Sequence, residues 1–221
     1  MFSIKICGIT RIEDARAAAL AGADAIGLNF AAASPRRVEV SVAEMVSLDE
    51  QLSIDRVGVF VNADYDELCE TARLAKLDYL QLHGDEPAEL VVRLRNYRVI
   101  KAFRLKEFEL SRVVEYVQRV HRAGGELAAV LVDAYDPKQH GGTGLTLDWK
   151  RLPAIERMPP IILAGGLRPT NVAEAILAAR PAAVDTASGV EIRPGVKDVA
   201  AVAAFVAEAR TAFQSPAPRS R

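Results

Sequence analysis

Short apolar runs recur along the chain, and most are followed by a stretch with helical spacing. Residues 3–7 alternate apolar and polar side chains and read as a first strand. Further strands are expected at 23–30, 56–61, 79–83, 98–103, 128–133, 161–164 and 182–185. The run at 128–133 is almost wholly apolar, which fits a parallel strand buried on both faces. Thr10 and Glu13 form a capping-box pattern opening a helix that Gly22 stops. Ser41 is placed as the cap of a second helix running to about residue 52. A third helix starts at Asp64, with Leu68, Ala72 and Ala75 on one face. Helices are also expected after Pro87, over 109–122 ending at Gly124-Gly125, over 148–152, from Pro169, and over 197–213.

Strands and helices therefore alternate about eight times, and such alternation implies a parallel sheet. Eight units in 221 residues suit the α/β class, as one parallel eight-stranded (β/α)8 TIM barrel. No Gly-x-Gly-x-x-Gly follows the first strand, which argues against an open dinucleotide-binding sheet. Residues 1–213 form the expected barrel domain. The tail 214–221, rich in Pro, Ser and Arg, is expected to be disordered.

Composition narrows the function classes. A net charge of −1 with scattered basic residues points away from nucleic acid. No apolar run is long enough to span a bilayer, and the first residues lack a signal-peptide pattern. Two cysteines, Cys7 and Cys69, make no disulfide framework, so a reduced cytoplasmic protein is expected. The sequence is compatible with a monomer or a homodimer. His121 and His140 show no metal-ligand spacing, so no metal site is expected.

The candidate chemistry lies at the strand ends, where barrels of this kind carry their active sites. Cys7 ends the first strand and Asp133 the sixth, on roughly opposite sides of an eight-membered ring. A thiolate base and a carboxylic acid there would flank a bound substrate as a proton-transfer pair. Lys5, one inward layer below Cys7, would favour the thiolate, unless it is a structural charge paired with Asp185. Position alone leaves Cys7 divided between a base and a small buried side chain, and Asp133 between an acid and a loop cap. Cys69, in mid-helix beside Leu68, reads as core.

Glycine-bearing loops follow strands six, seven and eight: Gly141-Gly142-Thr143-Gly144, Gly165-Gly166 and Ser188-Gly189. Backbone amides in such loops cradle a phosphate, although a single glycine pair is as readily a turn. The implied ligand is a phosphorylated small molecule. Arg36 or Arg37, after strand two, is a candidate clamp for a carboxylate. His83 reads as a satisfied strand-end histidine rather than a substrate contact.

These residues fall into a recognisable series. Lys5-Ile-Cys-Gly-Ile-Thr10, Ser34-Pro-Arg36, Leu80-Gln-Leu-His-Gly-Asp85, Val132-Asp133, Leu163-Ala-Gly-Gly-Leu167 and Asp185-Thr-Ala-Ser-Gly-Val-Glu191 follow in order, and Pro194 to Asp198 opens the final helix. From the first strand to the last helix the chain resembles the phosphoribosylanthranilate isomerase family of tryptophan biosynthesis. The resemblance implies a cofactor-independent Amadori rearrangement of N-(5-phosphoribosyl)anthranilate. It implies Asp133 as general acid, Cys7 as general base and Arg36 as partner of the anthranilate carboxylate. Gly142, Gly144, Gly165, Gly166, Ser188 and Gly189 match the phosphate cradle. Ala31-Ala32-Ala33 and Asp185-Thr186-Ala187 depart from the family's usual residues. The alternatives are another phosphosugar barrel isomerase and a non-catalytic phosphate-binding barrel. The histidine-pathway isomerase would want an acid where Cys7 stands, and a ribulose-phosphate epimerase would want His and Asp metal ligands.

Overall fold

The computed structural model describes residues 1–49, 52–104, 110–133 and 158–215. Eight parallel strands follow chain order around a closed barrel. They are β1 (Ile4–Cys7), β2 (Ala25–Asn29), β3 (Asp55–Phe60), β4 (Tyr79–Leu82), β5 (Arg98–Arg104), β6 (Ala129–Asp133), β7 (Ile161–Ala164) and β8 (Ala183–Thr186). The ring closes where β1 pairs with β8, Lys5 lying beside Asp185. The helices among the described residues are α1 (Ile12–Leu20), α2 (Val40–Leu48), α3 (Tyr65–Leu74), α4 (Ala88–Arg93), α5 (Leu110–Arg122), α6 (Val172–Ala179) and α7 (Val199–Gln214). None of them is long and apolar enough to cross a membrane.

Period-two alternation sorts each strand's side chains into two cores. Ile4, Ile6, Ile26 and Leu28 pack outward with Ala15, Ile176 and Phe205 of the surrounding helices. Leu80, Leu82, Val130 and Val132 do the same against Leu68, Val91 and Val117. The complementary set, including Ala25, Val57, Tyr79, Ile100, Leu131 and Ile162, clusters separately and fills the barrel. Burial on both faces is why β6 reads as a continuous apolar run. An ion pair breaks this interior. The buried Lys5 ammonium lies 3.0 Å from Asp185 Oδ2 and donates to Gln81 Oε1 at 3.1 Å.

The helix ends follow local chemistry, with several departures from expectation. Gly22 and Gly124 take left-handed φ and close α1 and α5 with paired backbone bonds. Asp64 caps α3, accepting from Glu67 N. Thr10, by contrast, does not cap α1. Its hydroxyl donates to Gly195 O at 2.5 Å, and the helix starts two residues later, after Arg11. Ser41 lies inside α2, which begins at Val40 and ends at Leu48, short of the expected residue 52. Pro169 precedes α6 rather than beginning it, with Asn171 at the cap position. Residues 191–197 hold an unexpected antiparallel hairpin, β9 (Glu191–Arg193) and β10 (Val196–Lys197). Lys197 therefore belongs to the hairpin, and α7 opens on Asp198 and runs to Gln214. The helix expected at 148–152, Gly142, Gly144 and residues 216–221 lie outside the described residues.

The Asp198 carboxylate accepts from Ala200 N at 2.9 Å and Ala201 N at 3.1 Å. Asp198→Ala should cost about 1 kcal/mol, read as a lower denaturant midpoint at unchanged slope. Ser41→Ala should stay within about 0.5 kcal/mol, because the exposed Ser41 caps nothing.

Candidate active site

At the carboxyl ends of the strands the barrel opens into a cavity of about 650 Å³. Cys7 of β1 and Asp133 of β6 both line it. Arg36, Gly165, Gly166 and Ser188 line it too, so most of the sequence-predicted site residues share one cavity. Gly165 and Gly166 both take left-handed φ, +94° and +64°. Gly189 does not line the cavity. It sits in the middle of a 3-10 turn, Ser188–Val190, against the loop after β7, where a Cβ would lie 1.8 Å from Leu167 O. Thr186 joins the same two loops, its hydroxyl donating to Leu167 O at 2.7 Å.

Cys7 owes its position to its neighbours in the sheet. Gly27 pairs with it on β2, and a Cβ there would come within 2.6 Å of the Cys7 sulfur. A glycine at 27 is what leaves the thiol room. Behind the thiol, the buried Lys197 ammonium donates to Cys7 O at 2.5 Å, to Ala187 O at 3.2 Å and to Glu191 Oε1 at 2.9 Å. Glu191 in turn accepts from Arg36, at 2.9 and 3.0 Å from Nε and 2.7 Å from Nη2. The hairpin thus clasps the loops after β1, β2 and β8 together. Asp14 of α1 anchors it from behind by accepting from Lys197 N at 3.2 Å.

Sequence reasoning missed Glu191 and Lys197 as members of the site. The available signal was an acid and a base on either side of the Pro194-Gly195 turn. It also missed Arg104 and Arg112, which bring further cations to the cavity wall. Arg104 pairs in register with Asp133. Arg36 keeps its place as a candidate carboxylate clamp, but Glu191 takes the Nε–H and one Nη2–H, which leaves the Nη1 hydrogens and the second Nη2–H to reach an anion.

Burial and charge together set the state of the thiol. Burial pushes the Cys7 thiol up from its ordinary range; Lys5 and Lys197 pull it down, and Asp185 opposes them. The thiol is therefore the resting form at neutral pH. Burial disfavours the Lys5 ammonium, but Asp185 and Cys7 outweigh it and the pKa ends raised. Burial lowers Lys197, while Glu191 works to keep it charged. Glu191 is pushed up by burial, yet Arg36 and Lys197 bring it below the usual carboxylate range. The arrangement is a thiol and a carboxyl group facing one cavity, with glycine loops and an arginine beside them, and it suits proton transfer.

In a Cys69→Ser background, alkylation of Cys7 by iodoacetamide should rise with pH along an alkaline-shifted curve. Lys197→Met removes a cation that favours the thiolate and should move that curve further up. Glu191 keeps Arg36, so this variant strands no buried charge. An unmoved curve would leave Lys197 as a backbone tether only.

Known proteins resemble this chain over nearly its whole length. The family model described as N-(5'phosphoribosyl)anthranilate (PRA) isomerase matches residues 4–208. A relative of that name from Geotalea uraniireducens is 46% identical over 211 residues, covering 95% of this chain and 99% of its own. The phosphoribosyl anthranilate isomerase of Thermotoga maritima superposes with a TM-score of 0.81 at 37% identity, covering 96% of this chain and all of that one. Another isomerase structure, in complex with reduced 1-(o-carboxyphenylamino)-1-deoxyribulose 5-phosphate, gives 0.80 at 35% identity, with coverage of 96% and 100%. This chain belongs to the N-(5'-phosphoribosyl)anthranilate isomerase family.

Proposed function

We propose that the chain converts N-(5-phosphoribosyl)anthranilate to 1-(2-carboxyphenylamino)-1-deoxyribulose 5-phosphate, a step of tryptophan biosynthesis. The observation that carries the reading is that Cys7 and Asp133 face a single cavity whose wall also includes Gly165, Gly166 and Ser188. Asp133 protonates the furanose ring oxygen. The C1–O bond breaks, and the amine lone pair forms an iminium at C1. The Cys7 thiolate then removes the proton from C2, and that electron pair forms a C1–C2 double bond while neutralising the nitrogen. Protonation at C1 and loss of the C2 hydroxyl proton give the ketone. The proton count closes within the substrate and the two side chains, and the two electrons that C2 gives up are gained by C1, so no redox partner enters.

Binding follows the same wall. Gly165, Gly166 and Ser188 hold the phosphate, a role the family resemblance extends to Gly142 and Gly144. Gly189 supports them by letting the two loops meet. Arg36 reaches the anthranilate carboxylate through the N–H groups that Glu191 leaves unused. The partner is thus a small phosphorylated substrate, met in the cytoplasm by a monomer or a homodimer.

Purified protein should turn over phosphoribosylanthranilate, and no turnover would defeat the reading. Cys7→Ser and Asp133→Asn should each lower kcat by about 10²-fold or more with the fold retained. Because the base must be deprotonated, kcat/KM should climb with pH on a limb above that of an ordinary thiol. Near-normal turnover in either variant would remove its assigned role.

A further inference from the structure

His83 ends a hydrogen-bonded row that begins at Lys5 inside the barrel. The Lys5 ammonium has donors only, so the Gln81 atom at 3.1 Å from it is the amide oxygen. The Gln81 amide nitrogen then faces the other way, 3.2 Å from His83 Nδ1. An amide NH2 also only donates, so Nδ1 accepts and the ring proton sits on Nε2. That nitrogen is buried and has no hydrogen-bond partner among the described residues, while His83 lines the cavity. The ring is not the satisfied strand-end histidine that its sequence suggested. Buried polar groups are nearly always bonded, and an exception in a cavity asks for a ligand atom.

The charged groups around the ring agree on its state. Burial lowers the His83 pKa to about 4, and Arg104 and Lys101 of β5 and Lys5 of β1 act in the same direction. Glu86, after β4, opposes them. The ring is a neutral donor, in a mouth that already holds Arg36, Arg104 and Arg112.

Strand order says which end of a substrate it meets. β4 lies opposite β8 in the ring of eight. A substrate held by its phosphate at the loops after β7 and β8 extends its other end towards β2–β4. Its reacting carbons then lie between Cys7 and Asp133. We propose that His83 is a specificity-determining contact whose Nε2–H donates to the carboxylate of the substrate's aromatic end, beside Arg36. Gln81 and Lys5 are the positioning residues that fix its tautomer. The substrate in this assignment rests on the isomerase reading, whereas the tautomer does not.

The test has two arms on the full chain. Ring nitrogen NMR, with His83 assigned by its loss in His83→Gln, should show a neutral ring protonated at Nε2 above about pH 5. Gln81→Leu should release that preference. A ring protonated at Nδ1, or an imidazolium at neutral pH, overturns the proposal. The second arm uses two reduced product analogues, one carrying the ring carboxylate and one lacking it. His83→Ala should weaken the carboxylated analogue by about tenfold or more and leave the other unchanged. KM should rise more than kcat falls, and His83→Gln, which keeps an N–H donor, should recover part of the affinity. Equal losses on both analogues, or none on the carboxylated one, overturn it. Failure of the isomerase reading shows differently, as wild-type protein that binds neither analogue.

Discussion

A lysine ammonium enclosed in a ring of parallel strands must be answered by the strands themselves, since water does not reach it. Lys5 is answered by Asp185 across the closing seam and by Gln81 from the far side of the interior. Losing one partner of such a buried pair typically costs about 3–5 kcal/mol, because the other charge is stranded. The pair therefore holds β1 against β8 and fixes the register in which the barrel closes. It also reaches the mouth by two routes. The Lys5 charge favours the Cys7 thiolate one layer above while Asp185 opposes it, and the Lys5 ammonium orients Gln81 and hence His83.

The second organising contact lies just outside the strands. Lys197 and Glu191 join the carbonyl of Cys7, the loop at Ala187 and the guanidinium of Arg36. Three loops that carry separate parts of the site are thereby held to one small hairpin. Cys7, Arg36 and the loop after β8 share a single support. Placing chemistry on elements tied in this way limits the misalignment that costs an acid–base site its rate.

The barrel was legible because its signals are local and repeated. Apolar runs bounded by glycine and proline gave all eight strands to within two residues or so, as at 79–83 for Tyr79–Leu82. Cys7 and Asp133 were legible because each ends such a run. Illegible features depended on distant partners. Thr10 has the sequence of a cap, but its hydroxyl is taken by Gly195, 185 positions away. Glu191 and Lys197 sit in strands of three and two residues, too short for any periodicity to show. The orphaned Nε2 of His83 follows from the direction of a glutamine amide, which spacing does not encode.

The hairpin's contact with Cys7 joins residues 190 positions apart. A chain emerging from the ribosome makes β1 first and the groups that complete it last. Until β8 arrives, the barrel cannot close and Lys5 has no Asp185 to meet. Until Lys197 arrives, the thiol's backbone is untethered. Assembly must therefore wait for nearly the whole polypeptide, and pairings of such sequence separation are slow to form. A truncated product would hold an unanswered charge in its centre, so incomplete chains are poorly placed to settle into a partial barrel that presents a working thiol.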